Sequence, residues 1–172
     1  MGLKEATAEK HKMAEKMPFN QLMIEGKFGV IQYAEYLKSQ YAIFSTIEDN
    51  FELPHSSLAR KNATYSDLEK TGLLDFTPDV KTQEYCDYLL TLTQEEVDAH
   101  IYLHYLALMF GGQMIKTKVP SEGKMYDFGP DMMEAAGAIR AIQKDEWADE
   151  VNKGFDFMIS IFGELHQIIV RG

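Results

Sequence analysis

The stretch FGVIQYAEYLKSQYAIFSTIEDNF, residues 28–51, decides the fold class. Within it Val30, Ala34, Leu37, Tyr41, Phe44, Ile47 and Phe51 recur at three- and four-residue steps, which places them on one stripe of an α-helix. A half-buried strand would need alternation at period two, and no segment of the chain sustains that with β-branched residues. The spacing therefore predicts a long core helix. The same periodicity recurs along nearly the whole chain and, with capping signals as boundaries, predicts helices over 3–17, 19–25, 28–51, 56–70, 78–92, 93–116, 130–143 and 145–170. Ser66 with Glu69, and Thr93 with Glu96, have the spacing at which side chain and backbone satisfy each other's free N–H groups. Thr77-Pro78 puts proline where a first helical turn tolerates it. Residues 117–129, with Pro120, Gly123 and Gly129, are the one long irregular stretch. The expectation is an all-α, single-domain bundle over residues 1–172, without internal repeats.

Length and composition agree. A chain of 172 residues with 45% apolar and 26% charged residues can bury a core without disulfides. Its single cysteine, Cys86, has no partner within the chain, which favours a reducing, cytoplasmic setting. The N-terminus turns charged at once at Lys4 and Glu5, and no run reaches the ~18 apolar residues of a membrane span, so neither export nor anchoring is expected. A net charge of −10 disfavours nucleic acid and anionic membrane as partners.

Two features point to chemistry. His11 stands on the first helix with Thr7, Ala8 and Ala14 a turn away, all small, so space is left beside the imidazole. A lone helical histidine is more often a surface or core residue than a ligand, and His11 by itself decides nothing. The second feature is Gly111-Gly112 inside the apolar run Tyr105–Ile115. Each glycine within a helix costs ~1 kcal/mol against alanine, so two in succession call for a reason: backbone approaching a ligand, a close helix crossing, or a helix end.

Together these stretches form a pattern. Leu3-Lys4-Glu5-Ala6-Thr7-Ala8-Glu9-Lys10-His11, followed by Ala14-Glu15, resembles the N-terminal proximal helix of haem oxygenases. Ala99-His100-Ile101-Tyr102-Leu103-His104-Tyr105-Leu106 and then Gly111-Gly112-Gln113 resemble the distal helix of that family, and Phe155–Leu165 its closing helix. The resemblance implies a bundle with haem between the proximal and the kinked distal helix. It implies His11 as iron ligand with Glu15 as its partner, and Lys4, Tyr102 and Arg140 as contacts to the haem propionates. Gly111 and Gly112 become the glycines that let the distal helix bend over the macrocycle, and Phe155 and Phe162 aromatics of the pocket wall. Haem b would be both substrate and cofactor, cleaved with O2 to biliverdin, CO and ferrous iron. An external donor, a ferredoxin or flavoprotein reductase, would supply electrons. Lys4, Lys10, Lys12 and Lys16 are the candidate docking face on an otherwise acidic chain.

The chain also departs from the family. Its distal helix usually reads Gly-Asp-Leu-Ser-Gly-Gly, and here Leu108 stands where the aspartate holds an ordered water. A distal tyrosine aligns with Phe44, an arginine with His104 and an asparagine with Met158. A pocket lined by Phe44, Leu108, Met109, Phe110 and Met158 is expected to be drier than usual, with His104 or Gln113 left to organise water in place of the carboxylate. The competing expectation is a haem carrier or sensor that kept His11 and lost oxygenase chemistry.

Overall fold

The computed structural model describes residues 1–171, and its regular structure among those residues is helical throughout. Helix α1 spans Leu3–Glu15, α2 Pro18–Ile24, α3 Val30–Asn50, α4 Lys61–Glu69, α5 Val80–Leu89, α6 Gln94–Leu106, α7 Gly112–Ile115, α8 Met132–Ile142 and α9 Ala148–Arg171. The stripe on residues 28–51 becomes α3, with Leu37, Phe44 and Ile47 fully buried and Val30 left exposed at its end. At its start the Gln32 side chain accepts from the Gly29 N–H at 2.9 Å.

Helix α9 carries the most regular apolar face. Val151, Gly154, Phe155, Met158, Phe162 and Leu165 are buried at three- and four-residue steps, and through them α9 packs on α1, α2, α5 and α6. Gly154 has a steric reason. A Cβ there would lie 2.6 Å from the Leu103 Cδ2 and 3.1 Å from the His100 Nδ1, so glycine is what lets α9 close on α6.

Three boundaries differ from the sequence reading. Thr93 and Glu96 do form the reciprocal cap of α6. Ser66, by contrast, lies inside α4, and the expected helix over 56–70 divides into a short 3₁₀ turn at Ser56–Leu58 and α4. Pro78 precedes its helix: Asp79 is the cap, its carboxylate accepting the Thr82 N–H at 3.0 Å, because a side-chain acceptor satisfies a free donor where proline only avoids one. The expected helix over 93–116 is interrupted by a wide π-turn at Ala107–Gly111 before α7 resumes. Such turns insert one extra residue and splay the backbone, and they concentrate at functional sites.

The segment 117–129 holds its course without regular structure, apart from a 3₁₀ turn at Lys124–Tyr126. Arg60, 7% exposed, donates to the carbonyls of Met125 (3.2 Å) and Asp127 (2.6 Å), and its guanidinium lies 4.0 Å from the centre of the Phe128 ring. The Asp67 carboxylate accepts the N–H groups of Lys124 (3.2 Å) and Met125 (2.9 Å). These two side chains from the α4 region fix the loop that carries Tyr126 inward.

Candidate functional site

A cavity of about 390 Å³ lies between α1 and α2 on one side and the end of α6 with its π-turn on the other, within the ~300–1,000 Å³ range of ligand pockets. Helix α9 closes its back with Phe155, Met158 and Phe162.

On the α1 wall His11 is held from two directions. Its Nε2 lies 2.9 Å from the Glu15 Oε1, one turn along, and its ring stacks on Phe155 with centroids 5.5 Å apart and planes 23° from parallel. The imidazole is 55% exposed, and its other ring nitrogen has no hydrogen-bond partner among the described residues. A histidine with one nitrogen oriented by a carboxylate and the other free has the arrangement of a metal ligand with its outer partner in place. Among the described residues no three His, Cys, Asp or Glu side chains gather into a metal-holding group, so attachment of a metal here would be at one protein atom.

The opposite wall is the π-turn. Gly111 and Gly112 both line the cavity, for different reasons. A Cβ on Gly112 would come within 2.5 Å of the Tyr126 ring, so this glycine makes room for a protein side chain. A Cβ on Gly111 would meet nothing within 4 Å. Open space beside Gly111 is room for an occupant. Leu108 lines the same wall, as does Met158 across from it.

The expected lining is otherwise corrected. Phe44 and Met109 are buried in the core and do not reach the cavity, and Phe110 is turned outward, 42% exposed, beneath the Arg140 guanidinium at 5.7 Å. A π-turn changes which residues face inward, so a straight-helix reading of residues 107–111 misplaces Phe110. Lys4, Tyr102 and Arg140 do not line the cavity: Lys4 is exposed, and Tyr102 packs edge-on to Trp147 on the side of α6 where Arg140 also lies. Lys118 is the lysine that does stand on the wall. Gln113 is turned away from it, its amide donating to the Tyr126 carbonyl at 2.8 Å.

Nor is the cavity wall wholly apolar. Tyr36 and Gln40, one turn apart on α3, both line it; Gln40 is 4% exposed, and neither side chain has a hydrogen-bond partner among the described residues. Burial holds the Tyr36 phenol well above its ordinary range, so it remains a neutral O–H. His104 also faces the cavity, and its Nε2 lies 2.6 Å from the Tyr85 hydroxyl. Burial, with His100 as a lesser cause, pushes the His104 imidazole down to about 3, so it is neutral at ordinary pH. The sequence carried a signal for Gln40, which sits between Leu37 and Phe44 on the core stripe of α3. Nothing local marked Tyr126, which the loop brings in from far along the chain.

These features define an all-helical protein with a ligand-sized cavity between its first and sixth helices, entered by one oriented histidine and bounded opposite by bare backbone. Comparison with known proteins narrows that class. The family model described as Heme oxygenase matches residues 1–154, and the chain belongs to the haem oxygenase family. It is 28% identical to Heme oxygenase 1 of Gallus gallus, over 71% of this chain and 49% of that protein, and 25% identical to Heme oxygenase 2 of Rattus norvegicus, over 96% and 64%. The chain thus spans about half to two thirds of the length of these curated relatives. Among solved structures it superposes on haem oxygenase 1 of Synechocystis sp., in complex with haem, with a TM-score of 0.85 at 22% identity over 98% of this chain and 92% of that one. The haem oxygenase of Leptospira interrogans gives 0.83 at 24% identity, over 95% and 100%. Among the described residues no helix is long and apolar enough to cross a membrane.

Proposed function

We propose that this chain binds haem in the cavity with His11 as the iron ligand and opens the macrocycle oxidatively to biliverdin, CO and ferrous iron. The observation that carries the reading is the pairing of His11, oriented by Glu15 and stacked on Phe155, with the open space at Gly111 on the facing wall. Bound haem would supply the redox-active iron; the protein supplies position and polarity. Glu15 fixes the tautomer of His11 and strengthens it as a donor. Gly111 would leave room for the macrocycle on its wall, and Phe155 and Phe162 would hold it from α9, a fixed position being what selects one carbon for oxidation.

Leu108 holds no water. Gln40, Tyr36 and His104 are the polar groups that take over that task on the far wall, since a confined water needs about two to four polar partners. For the propionates, the resemblance assigns Lys4, Tyr102 and Arg140, while Lys118 is the basic side chain that the cavity wall itself offers. Electrons come from a ferredoxin or flavoprotein reductase docked near α1. Of the four lysines there, Lys10 is paired with Asp156 at 2.7 Å, so Lys4, Lys12 and Lys16 are the ones left to meet a partner.

Leu108 also supports a second reading, a haem carrier or sensor without turnover. Titration with haemin separates binding from its absence: wild type is expected to give a Soret band that saturates at one equivalent, and His11→Ala to bind at least tenfold more weakly. Adding reductant, oxygen and catalase then separates the two functions. Loss of the Soret band with appearance of biliverdin supports the oxygenase, and a stable band supports the carrier. An unsaturable titration would overturn both.

A further inference from the structure

From His104 a continuous line of hydrogen bonds runs away from the cavity into the bundle. The Tyr85 hydroxyl lies 2.6 Å from the His104 Nε2 and 2.6 Å from the His100 Nδ1, and the His100 Nε2 lies 2.8 Å from the Glu150 Oε1. His104 is on the cavity wall, and His100 and Tyr85 are completely buried. The Glu150 side chain is 15% exposed and so touches solvent. The line joins the outside of the bundle to the cavity through three side chains from α5 and α6.

The proton count along it is constrained. Tyr85 has one hydroxyl hydrogen and two imidazole neighbours, so it donates to one and accepts from the other. When His100 is neutral, its Nε2–H donates to Glu150 and its bare Nδ1 accepts the Tyr85 O–H. Tyr85 then accepts from the His104 Nε2–H, and the His104 Nδ1 faces the cavity as an acceptor. When His100 carries a second proton, its Nε2–H still donates to Glu150 and the two bonds at Tyr85 reverse: the His100 Nδ1–H donates to Tyr85, Tyr85 donates to the His104 Nε2, and His104 shows an N–H donor to the cavity. The two arrangements share the same heavy-atom positions and differ by one proton.

We infer that Glu150, His100, Tyr85 and His104 form a proton relay that feeds the cavity, with His104 as its delivering atom. In the loaded arrangement His104 gives its Nδ1 proton to a cavity acceptor and takes the Tyr85 proton at Nε2. Tyr85 takes the His100 Nδ1 proton, and His100 is left neutral. One proton has left His100 and one has entered the cavity. Reloading takes a turn of the Tyr85 hydroxyl, tautomer changes at His104 and at His100, the latter moving its proton from Nε2 to Nδ1, and one proton from solvent past Glu150 to the freed His100 Nε2. An arginine at position 104 would hold only donors, whereas an imidazole can be read in either direction.

The groups facing His100 suit the loaded form. Helix α9 brings Glu150, with Lys153 at 3.7 Å from that carboxylate, and α5 brings Tyr85 and Tyr88, the latter also donating to Glu150. His100 itself holds the Glu150 carboxyl down to about 2, so it stays charged opposite the imidazole. Gly154 leaves the His100 Nδ1 uncrowded.

The destination of the proton rests on the haem oxygenase reading; the relay itself is testable without haem. Nitrogen-15 NMR of protein labelled at histidine should show His104 change from the Nε2–H to the Nδ1–H tautomer at the same midpoint at which His100 gains its proton. A His104 that keeps one tautomer through that titration would falsify the relay. Tyr85→Phe is expected to uncouple the two histidines. Coupling that persists in Tyr85→Phe counts against that residue and against the path. With haem bound, Tyr85→Phe should slow single-turnover loss of the macrocycle at least tenfold while the Soret titration stays within twofold. An unchanged rate overturns delivery. A failed Soret titration in wild type with the coupling intact overturns the haem reading and leaves the relay standing.

Discussion

Two adjacent glycines show how much depends on what lies beside a single missing methyl group. Gly112 is closed off by Tyr126 and Gly111 by nothing in the protein. Gly112→Ala is therefore expected to cost ~1–3 kcal/mol, as overpacking against a buried ring does, and to lower the melting temperature with or without ligand. Gly111→Ala should fold as well as wild type or gain up to ~1 kcal/mol from the better helix former. Its effect belongs to the occupant: haem affinity should fall at least tenfold by Soret titration while melting is unchanged. Equal haem affinity in Gly111→Ala would mean that the space beside it is not where the macrocycle goes. The sequence singled out both glycines but had no means of telling them apart, because their difference is made by a tyrosine fourteen positions beyond Gly112, at the far end of an irregular loop.

At the scale of elements, the helices were legible and their interruptions were not. Residues 28–51 and 151–165 announce α3 and α9 through spacing alone, since a 3.6-residue repeat is a property of the chain itself. A π-turn has no such repeat, and the residues Ala107-Leu108-Met109-Phe110 read as more of the same helix; hence Phe110 was expected inside and lies outside. The loop after α7 was legible only as irregular, because Arg60 and Asp67, which hold it, precede it by some sixty residues. Arg60→Ala should leave the carbonyls of Met125 and Asp127 without a donor and cost about 2–4 kcal/mol, a drop of roughly 5–12 °C in melting temperature. If Arg60→Ala melts with wild type, the loop is held by other means.

For the whole molecule, the buried polar line sets the response to acid. The His104 imidazole stays neutral down to about 3 where an ordinary one titrates at 6.5, and Glu150 stays charged down to about 2 against 4.5. In both cases the unfolded chain takes up a proton at a pH where the folded chain does not. Their contributions are complete above 6.5 and 4.5 and are lost as pH falls, the first by about 3 and the second by about 2. Urea midpoints should decline from about pH 6.5 in wild type. His104→Gln should remove the earlier part of that decline and Glu150→Gln the later part; a decline of unchanged shape in both variants would place the acid sensitivity elsewhere. That α6 tolerates two buried histidines follows from Tyr85 and Glu150, which neither periodicity nor resemblance had brought forward.

The anchoring of residues 124–127 by Arg60 and Asp67 has a bearing on how the protein is recognised as folded. An irregular stretch with two positive-φ glycines, Gly123 and Gly129, is by composition an inviting substrate for a protease. Here its amides at Lys124 and Met125 are engaged by a carboxylate and its carbonyls by a guanidinium, so the peptide bonds between those glycines cannot extend into a protease cleft until α4 lets go. Resistance to cleavage in this loop then reports on the integrity of a helix more than fifty residues away.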